Sequence, residues 1–370
     1  MRRYIWQNKN WQNFAPAGQG LAELTARARF LQGQLLGKIS ALDLRLQTEA
    51  QGELLLAETL QTSKIEGLEL NVESVRSSVA ARLGLPQGFG RPIDRSVDGL
   101  VEVLLDAVRR HARPLTLTRL NGWHAALFPT GFSGLRRISA GAPRQGDMQV
   151  VSGYLGHEKI HYEAPPAKQA KKELAVFLKW LKSGAGASNG LLRAADAHLK
   201  FITIHPYDDG NGRLARAITD MAMAQDEKTA LRAYSLSAQI MRERQVYYQI
   251  LEDTQRGARR LDDWREWFLQ MFCRALQNSQ EIISAAFRKA AFWNTLRDCA
   301  LNVRQRKVIQ KILDLGKFEG GLTTRKYAAM TKTSAATAAR EIADLYRQKI
   351  LKQFGQGRSV RYELNLPVLP

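Results

Sequence analysis

The chain has 370 residues, 45% of them hydrophobic, and carries a formal net charge of +20 at pH 7. This length suggests about two or three domains, and the composition provides ample core, which excludes a fibrous or disordered protein. Two cysteines, Cys273 and Cys299, give neither a disulfide framework nor the spacing of zinc ligands.

The amino terminus is basic, but polar and aromatic residues follow it where a secretion signal would need an apolar segment. No run of about 18 apolar residues occurs either. We therefore expect a cytoplasmic protein without a membrane partner. The aromatic residues Tyr4, Trp6, Trp11 and Phe14 are expected to pack on a later helix rather than to form a recognition surface.

Apolar residues at helical spacing predict a series of helices in the first third of the chain. Their expected ranges are 21–46, 52–65, 68–87, 97–110 and 117–127. Thr116 or Thr118 is expected to cap the last of them, and Gly84, Gly88 and Gly90 to mark a loop.

Between residues 131 and 166 the pattern changes to glycines and β-forming residues, which predicts short strands and a hairpin. His157 and His161 are spaced as metal ligands can be, but no carboxylate or cysteine set completes such a site. A structural role for both histidines is therefore favoured.

The next unit is a helix over 190–205, a glycine-rich loop, and a second helix that begins near Asn211. The start of that second helix offers unpaired N–H groups and the positive end of the helix dipole, which suit a phosphate. Arg213 and Arg216 lie in its first turn, where cations oppose the dipole. Two cations at positions that the helix dipole disfavours indicate a bound polyanion.

Acid–base groups lie beside this predicted anion site. His205 can act as a general base near neutral pH, and Asp208 and Asp209 follow it. A carboxylate next to phosphates is useful when Mg²⁺ bridges them, since Mg²⁺ commonly takes one or two carboxylates plus phosphate oxygens. The unit therefore predicts phosphoryl or nucleotidyl transfer.

The segment HPYDDGNGRLAR resembles the signature of the Fic family, HPFx[D/E]GNGRxxR. It departs from that signature at Tyr207, where phenylalanine is usual, and we expect the extra hydroxyl to be tolerated if it has a partner. The matching residues are His205, Pro206, Asp209, Gly210, Asn211, Gly212, Arg213 and Arg216.

The resemblance implies a mainly α fold, with a Fic-type helical core and a β-hairpin flap that aligns the target's backbone by strand addition. It also implies transfer of AMP from Mg-ATP to a Ser, Thr or Tyr hydroxyl of a protein, which could be the chain itself. The implied roles are a proton acceptor at His205, a Mg²⁺ ligand at Asp209, an anion hole at Gly210, Asn211 and Gly212, and phosphate ligands at Arg213 and Arg216.

Residues 62–67, with the sequence TSKIEG, match the family's inhibitory pattern [S/T]xxxE[G/N] through Thr62 and Glu66. The resemblance implies that Glu66 pairs with Arg216, takes the space of the γ-phosphate and leaves ATP in a nonproductive pose. The alternative is a solvated surface glutamate.

After the signature, helices are predicted over 237–254 and 261–287. Tyr247 and Tyr248 resemble the aromatic pair that family members carry near adenine, although core positions are an equal alternative. Glu243 stands where many members have asparagine, which leaves the nucleotide preference open.

Residues 288–370 hold 17 Lys and Arg against 6 Asp and Glu, a net charge of +11. Helices over 303–315, 323–330 and 334–348, followed by a hairpin over 350–363, resemble a winged helix. DNA is a possible partner through residues 323–363, and a protein partner is the alternative. The candidate DNA contacts are Thr333, Ser334, Thr337, Arg340, Arg358 and Arg361.

The expected organisation is a helical module over 1–95 that carries the inhibitory motif, a Fic core over 96–285 and a winged-helix-like domain over 286–370. An autoinhibited protein adenylyltransferase is the favoured function. A hydrolase that removes AMP at the same site and a DNA-binding regulator with a nucleotide-sensing core remain alternatives, and a homodimer stays open.

Overall fold

The structure is a computed structural model that describes residues 4–85, 93–152, 157, 159–184, 189–297, 299–315 and 318–366. The predicted loop positions Gly88 and Gly90 lie outside these residues. The described chain is mainly helical, and each of its hairpins is a two-stranded antiparallel sheet. None of its helices has the length and apolar content needed to cross a bilayer.

Five helices form the first third of the chain: α1 (Ala22–Ser40), α2 (Leu44–Ile65), α3 (Val72–Leu83), α4 (Arg95–Arg109) and α5 (Leu117–Leu127). Four short strands follow: β1 (Phe132–Ser133), β2 (Arg136–Arg137), β3 (Gln149–Ser152) and β4 (Lys159–Glu163).

The remaining helices are α6 (Ala167–Ser183), α7 (Gly190–Ile204), α8 (Asn211–Glu227), α9 (Leu236–Arg242), α10 (Arg244–Gln255), α11 (Leu261–Thr295), α12 (Val303–Leu315), α13 (Thr324–Thr331) and α14 (Ala335–Arg347). Strands β5 (Leu351–Phe354) and β6 (Arg361–Leu364) form the last hairpin.

The predicted break between the first two helices is wrong by several residues. Helix α1 ends at Ser40 and α2 already begins at Leu44, because Asp43 accepts a hydrogen bond from the N–H of Leu46 and caps α2. Gly52, taken as a helix start, lies inside α2, where its bare Cα faces the side chain of Leu85. The helix that carries Glu66 is therefore longer than expected.

Three further boundaries differ from the sequence prediction. Helix α3 begins at Val72, because Asn71 caps it, and ends at Leu83 before the left-handed Gly84. The single helix expected over 237–254 is split at Glu243. Helix α11 continues eight residues past the expected end at residue 287, because its apolar face enters a second core.

The structure has two main hydrophobic cores. The first encloses the antiparallel pair α7 and α8, whose central residues are fully buried, and helices α1, α2, α4, α9 and α11 surround it. The second joins the end of α11 to α12, α13, α14 and the β5–β6 hairpin through residues such as Phe292, Ile309 and Leu345. The predicted three helices and hairpin of the tail are thus present.

Helices α4 and α5 pack so closely at Gly99 that a Cβ there would lie 1.9 Å from the carbonyl oxygen of Ala126. We expect Gly99→Ala to lower the free energy of unfolding by about 2–4 kcal/mol, because backbone must move to admit the methyl group. Urea unfolding followed by circular dichroism measures this change.

Gly122→Ala in α5 is the matched control, because no atom lies within 4 Å of the added Cβ. It should leave stability unchanged or raise it by up to about 1 kcal/mol. Equal effects of the two substitutions would contradict the close packing of α4 against α5.

Candidate active site

The candidate site lies in the turn from α7 to α8. His205 ends α7 in the left-handed conformation (φ 49°), and its N–H still donates to the carbonyl of Phe201. Gly210 adopts φ 78° and caps α8, where a Cβ would contact the ring of Phe128 at 2.8 Å. The local rules therefore produce a tight loop between two buried helices.

Hydrogen bonds stabilise the loop between α7 and α8. The side chain of Asn211 accepts from the N–H of Tyr207 at 3.0 Å and donates to its carbonyl at 2.8 Å. The hydroxyl of Tyr207 donates to Asn121 at 2.7 Å, so the departure from phenylalanine has the partner that it was expected to need. His124 stacks on the Tyr207 ring at 4.2 Å between centroids, a structural role.

The orientation of His205 fits a proton acceptor. Its Nδ1 lies 3.1 Å from the carbonyl oxygen of Ile202, so Nδ1 carries the proton and Nε2 keeps a free lone pair. Burial lowers the pKa of His205 to about 4. The imidazole is therefore neutral at pH 7 and able to accept a proton.

The two adjacent carboxylates have different environments. Asp208 accepts from the N–H of Ser139 at 3.0 Å, and Arg136 donates to its carbonyl at 2.8 Å, so Asp208 anchors the loop. Asp209 is half-buried and accepts from the hydroxyl of Ser133 and the N–H of Gly210. Asp209 is the better placed of the two to hold a cation.

No cluster of three or more His, Cys, Asp or Glu side chains that could hold a metal ion occurs among the described residues. The lone carboxylate of Asp209 therefore fits Mg²⁺ that arrives with a nucleotide, since such an ion keeps phosphate oxygens and water as its other ligands.

Arg213 and Arg216 lie against the first turn of α8, 7% and 2% exposed. In the described structure, Nε of Arg213 and one terminal nitrogen of Arg216 are buried without a hydrogen-bond partner. An unpaired buried N–H is costly, so these donors fit an anion that the protein itself does not supply. The predicted polyanion site is consistent with this geometry.

The structure brings Glu66 and Arg216 together, as the resemblance implied. Arg216 donates to Oε1 of Glu66 at 2.7 Å, to the hydroxyl of Thr62 at 2.6 Å and to its carbonyl at 2.9 Å. Burial alone would lower the pKa of Arg216, but the Glu66 carboxylate raises it above its usual value. The side chain of Glu66 is 31% exposed, so solvent reaches the pair from one side.

The Glu66 carboxylate also lies directly over the start of α8. A Cβ on Gly212 would come within 2.2 Å of Oε1 of Glu66, so only glycine accommodates this arrangement. Gly67 follows the C-cap residue of α2 in the left-handed conformation, with φ 79°. The carboxylate therefore lies against the first turn of α8.

Tyr247 and Tyr248 differ in burial and in hydrogen-bond partner. Tyr247 is buried in the core, 2% exposed, and its hydroxyl bonds to Nε2 of His198 at 2.9 Å. Tyr248 is 41% exposed, and its hydroxyl donates to the carbonyl of Ile65 at 2.9 Å. The geometry thus favours Tyr248 over the predicted Tyr247 as the residue within reach of a nucleotide. Glu243 pairs with Arg274 at 2.6 Å.

The β3–β4 hairpin lies beside His205, as expected for a flap. Its Tyr162 donates to the carbonyl of Thr203 at 2.6 Å, and its ring centroid lies 6.4 Å from that of His205. His161 bonds to the hydroxyl of Ser152 at 2.6 Å and to Glu252 at 2.8 Å, which accounts for both ring nitrogens without a metal.

Sequence reasoning missed the buried charges that hold α2. Glu58 accepts from the hydroxyl of Ser235 at 2.7 Å and the N–H of Ser237 at 3.1 Å, and lies 3.5 Å from Arg232. Arg232 also pairs with Asp220 of α8 at 2.6 Å. This network fixes the helix turn that precedes Thr62, and no local sequence signal indicated it.

Residues 114–223 match the Fic/DOC family, and residues 4–85 match the domain of unknown function DUF4172. The chain therefore contains a segment similar to the Fic/DOC family, preceded by a segment similar to DUF4172.

Two curated relatives have named activities. The chain is 32% identical over 116 residues to the uridine 5'-monophosphate transferase of Xanthomonas campestris pv. campestris (strain 8004). It is 34% identical over 79 residues to protein adenylyltransferase fic-1 of Caenorhabditis briggsae. These matches cover 30% and 21% of this chain but only 21% and 15% of the respective relatives.

Solved structures confirm the predicted mainly helical, Fic-like fold. A Fic family protein from Desulfovibrio desulfuricans G20 superposes with a TM-score of 0.54 at 19% identity, over 95% of this chain and 97% of that chain. A Fic domain containing signaling protein from Bacteroides thetaiotaomicron VPI-5482 gives 0.53 at 15% identity, over 71% and 97%. Fic-1 from C. elegans gives 0.50 at 20% identity, over 71% and 73%.

The pKa of His205 provides a direct test of the site. We expect its imidazole to remain neutral from pH 8 down to about pH 5, because burial holds the pKa near 4. NMR of ¹³C-histidine-labelled protein measures this titration, with His205→Ala to assign the signal. A midpoint near 6.5, the value of an unperturbed imidazole, would contradict the buried environment.

Proposed function

We propose that the chain is an autoinhibited protein adenylyltransferase, which moves AMP from Mg-ATP to a Ser, Thr or Tyr hydroxyl of a protein. The observation that carries the proposal is the position of Glu66. Its carboxylate pairs with Arg216 at 2.7 Å and lies against the start of α8, beside unpaired arginine donors. The relative named as a protein adenylyltransferase supports the same chemistry.

The reaction starts at His205. Its free Nε2 accepts the proton of the target hydroxyl while the hydroxyl oxygen bonds to the α-phosphorus and the bond from phosphorus to pyrophosphate breaks. The imidazole is neutral and anchored through Nδ1, so it is ready for that proton.

Charge on the leaving phosphates is stabilised by groups that are already in position. Arg213, Arg216 and the N–H groups at the start of α8 face the leaving group, and such preorganised donors supply much of the catalysis in phosphoryl transfer. Mg²⁺, when bound with the nucleotide, supplies further charge neutralisation, and Asp209 would hold it.

Inhibition follows from competition for one cation. While Glu66 occupies Arg216, the terminal phosphates of ATP lack that partner and the helix start is covered. Removing the carboxylate makes both Arg216 and the start of α8 available to the nucleotide. Removal of AMP from a modified protein remains an alternative use of the same site, in which Glu66 would orient a water.

The nucleotide itself is a separate part of the proposal. A relative named as a uridine 5'-monophosphate transferase makes UTP the competing donor. ATP is our first choice because the adenylyltransferase relative and the Tyr248 ring beside the site both suit a purine.

The central test removes Glu66. We expect Glu66→Gly to raise self-labelling or target labelling from α-³²P-ATP with Mg²⁺ by at least about tenfold, because the inhibitory carboxylate is gone. Adding His205→Ala should abolish that labelling. Parallel reactions with α-³²P-UTP decide the nucleotide.

Glu69→Gly is the control, because Glu69 is exposed and only three residues away along the chain. It should label like the wild type. Labelling that is indifferent to His205 would remove the mechanism, and AMP release from a labelled target that depends on Glu66 would favour the hydrolase.

We also propose that residues 323–363 bind duplex DNA. The carboxylate of Glu341 in α14 is turned inward, where Arg304 and the hydroxyl of Tyr327 hold it. Arg340 and Lys352 of β5 are both exposed, and neither forms an ion pair within the described residues. The exposed surface of this segment is therefore basic, as a phosphate backbone requires. The side chain of Arg358 lies outside the described structure.

For this second function, fluorescence anisotropy with a labelled 20-base-pair duplex is the measurement. Arg340→Ala should weaken binding and reduce the slope of log K against log salt by about one, the loss of one phosphate contact. Lys311→Ala on α12 is the matched control. Equal salt slopes for both variants, or no binding at 50 mM salt, would favour a protein partner instead.

A further inference from the structure

Arg144 lies in the loop between β2 and β3, and no sequence motif indicated a role for it. It is 3% exposed, and its surroundings are backbone carbonyls rather than a carboxylate partner. Asp147 and Asp208 act on its charge from a distance, and its hydrogen bonds go to backbone carbonyls. A buried guanidinium held in this way points to a positioning role.

The guanidinium reaches three carbonyl groups from separate parts of the chain. Nε donates to the carbonyl of His205 at 2.8 Å, one terminal nitrogen donates to that of Gly146 at 2.6 Å, and the other donates to that of Pro165. The backbone N–H of Arg144 donates to the carbonyl of Pro206 at 2.9 Å.

These contacts join the β3–β4 hairpin to His205. Gly146 lies just before β3 and Pro165 just after β4, so Arg144 holds both roots of the hairpin. Its third contact fixes the peptide of His205, whose left-handed backbone needs its surroundings to hold it. The rigid planar fork of arginine can make all three contacts at once.

We infer that Arg144 is a positioning residue, which sets the flap and the imidazole of His205 at a fixed distance from each other. A target segment aligned along the flap then presents its hydroxyl where Nε2 can take the proton. This inference rests on the proposed transfer reaction, because it specifies how that reaction is aligned.

Other contacts of the hairpin allow the effect of Arg144 on the reaction to be measured apart from its effect on folding. Tyr162 in β4 donates independently to the carbonyl of Thr203 in α7, and His161 bonds to Glu252 in α10, so the hairpin keeps these links to the core when the arginine is changed. Arg144 should therefore affect the alignment of the reacting groups more than the stability of the chain.

The charge of Arg144 and its hydrogen bonds can be tested separately, because lysine keeps the charge and loses the planar fork. Burial lowers the pKa of His205, the carbonyl of Ile202 raises it and Arg144 lowers it further, while Glu66 and Asp209 raise it. Removal of the positive charge should raise the pKa of His205, whereas a lysine should leave it nearly unchanged.

The experiment compares Arg144→Lys and Arg144→Gln in the Glu66→Gly protein, with Arg137→Gln as the control because Arg137 is exposed on β2. We expect both Arg144 variants to lower kcat for labelling by at least about tenfold while the Kd for Mg-ATP changes less than about threefold. The control should label like its parent. Thermal unfolding identifies any variant that fails to fold. If Arg144→Gln does not fold, the kcat of Arg144→Lys tests the inference.

Full labelling activity in Arg144→Lys and Arg144→Gln would overturn the inference. If the Glu66→Gly parent itself does not label, the proposed function fails, and two other measurements still test Arg144. The NMR titration of His205 should shift upward in Arg144→Gln only, and tryptic cleavage after Lys159 in β4 should accelerate in both variants. Unchanged titration and cleavage would show that Arg144 positions neither group.

Discussion

The contact between Arg216 and the end of α2 is the interaction on which the rest of the site depends. Arg216 is almost fully buried, and it donates to Thr62 and Glu66 and also interacts with the side chain of Tyr247. A buried cation without an anion costs about 3–5 kcal/mol, so some carboxylate or phosphate has to be present. On the proposed mechanism, activity depends on whether Arg216 holds the Glu66 carboxylate or a phosphate of the nucleotide.

Helix α2 is fixed along its length, and this makes its carboxylate an effective competitor. Glu58 ties its middle to α8 and α9, and Tyr248 holds the carbonyl of Ile65 at its end. One turn before Glu58, near the middle of α2, Glu53 pairs with Arg76 and Lys289, which also pair with Asp314 of α12. Helix α3, helices α8 and α9 with the loop between them, and the basic tail thus all contact the helix that ends at Glu66.

Local signals in the sequence predicted the elements that depend on neighbouring residues. Thr116, Gly67 and Gly84 mark helix ends through caps and left-handed turns, and the short motif around His205 carries its own loop geometry. What the sequence did not predict depends on distant contacts: the three carbonyls around Arg144, the partners of Glu58, and the second core that extends α11. The adjacent tyrosines 247 and 248 differ in burial only because α10 turns one of them inward.

The most direct measurement is calorimetric titration of Mg-ATP into Glu66→Gly and into the same protein with Arg216→Ala. The double variant removes both charges of the Glu66–Arg216 pair, so neither charge is left unpaired. If the phosphates use the cation that Glu66 occupies, Glu66→Gly binds Mg-ATP and the added Arg216→Ala weakens binding at least about tenfold. Equal affinity of the two variants would contradict competition at Arg216.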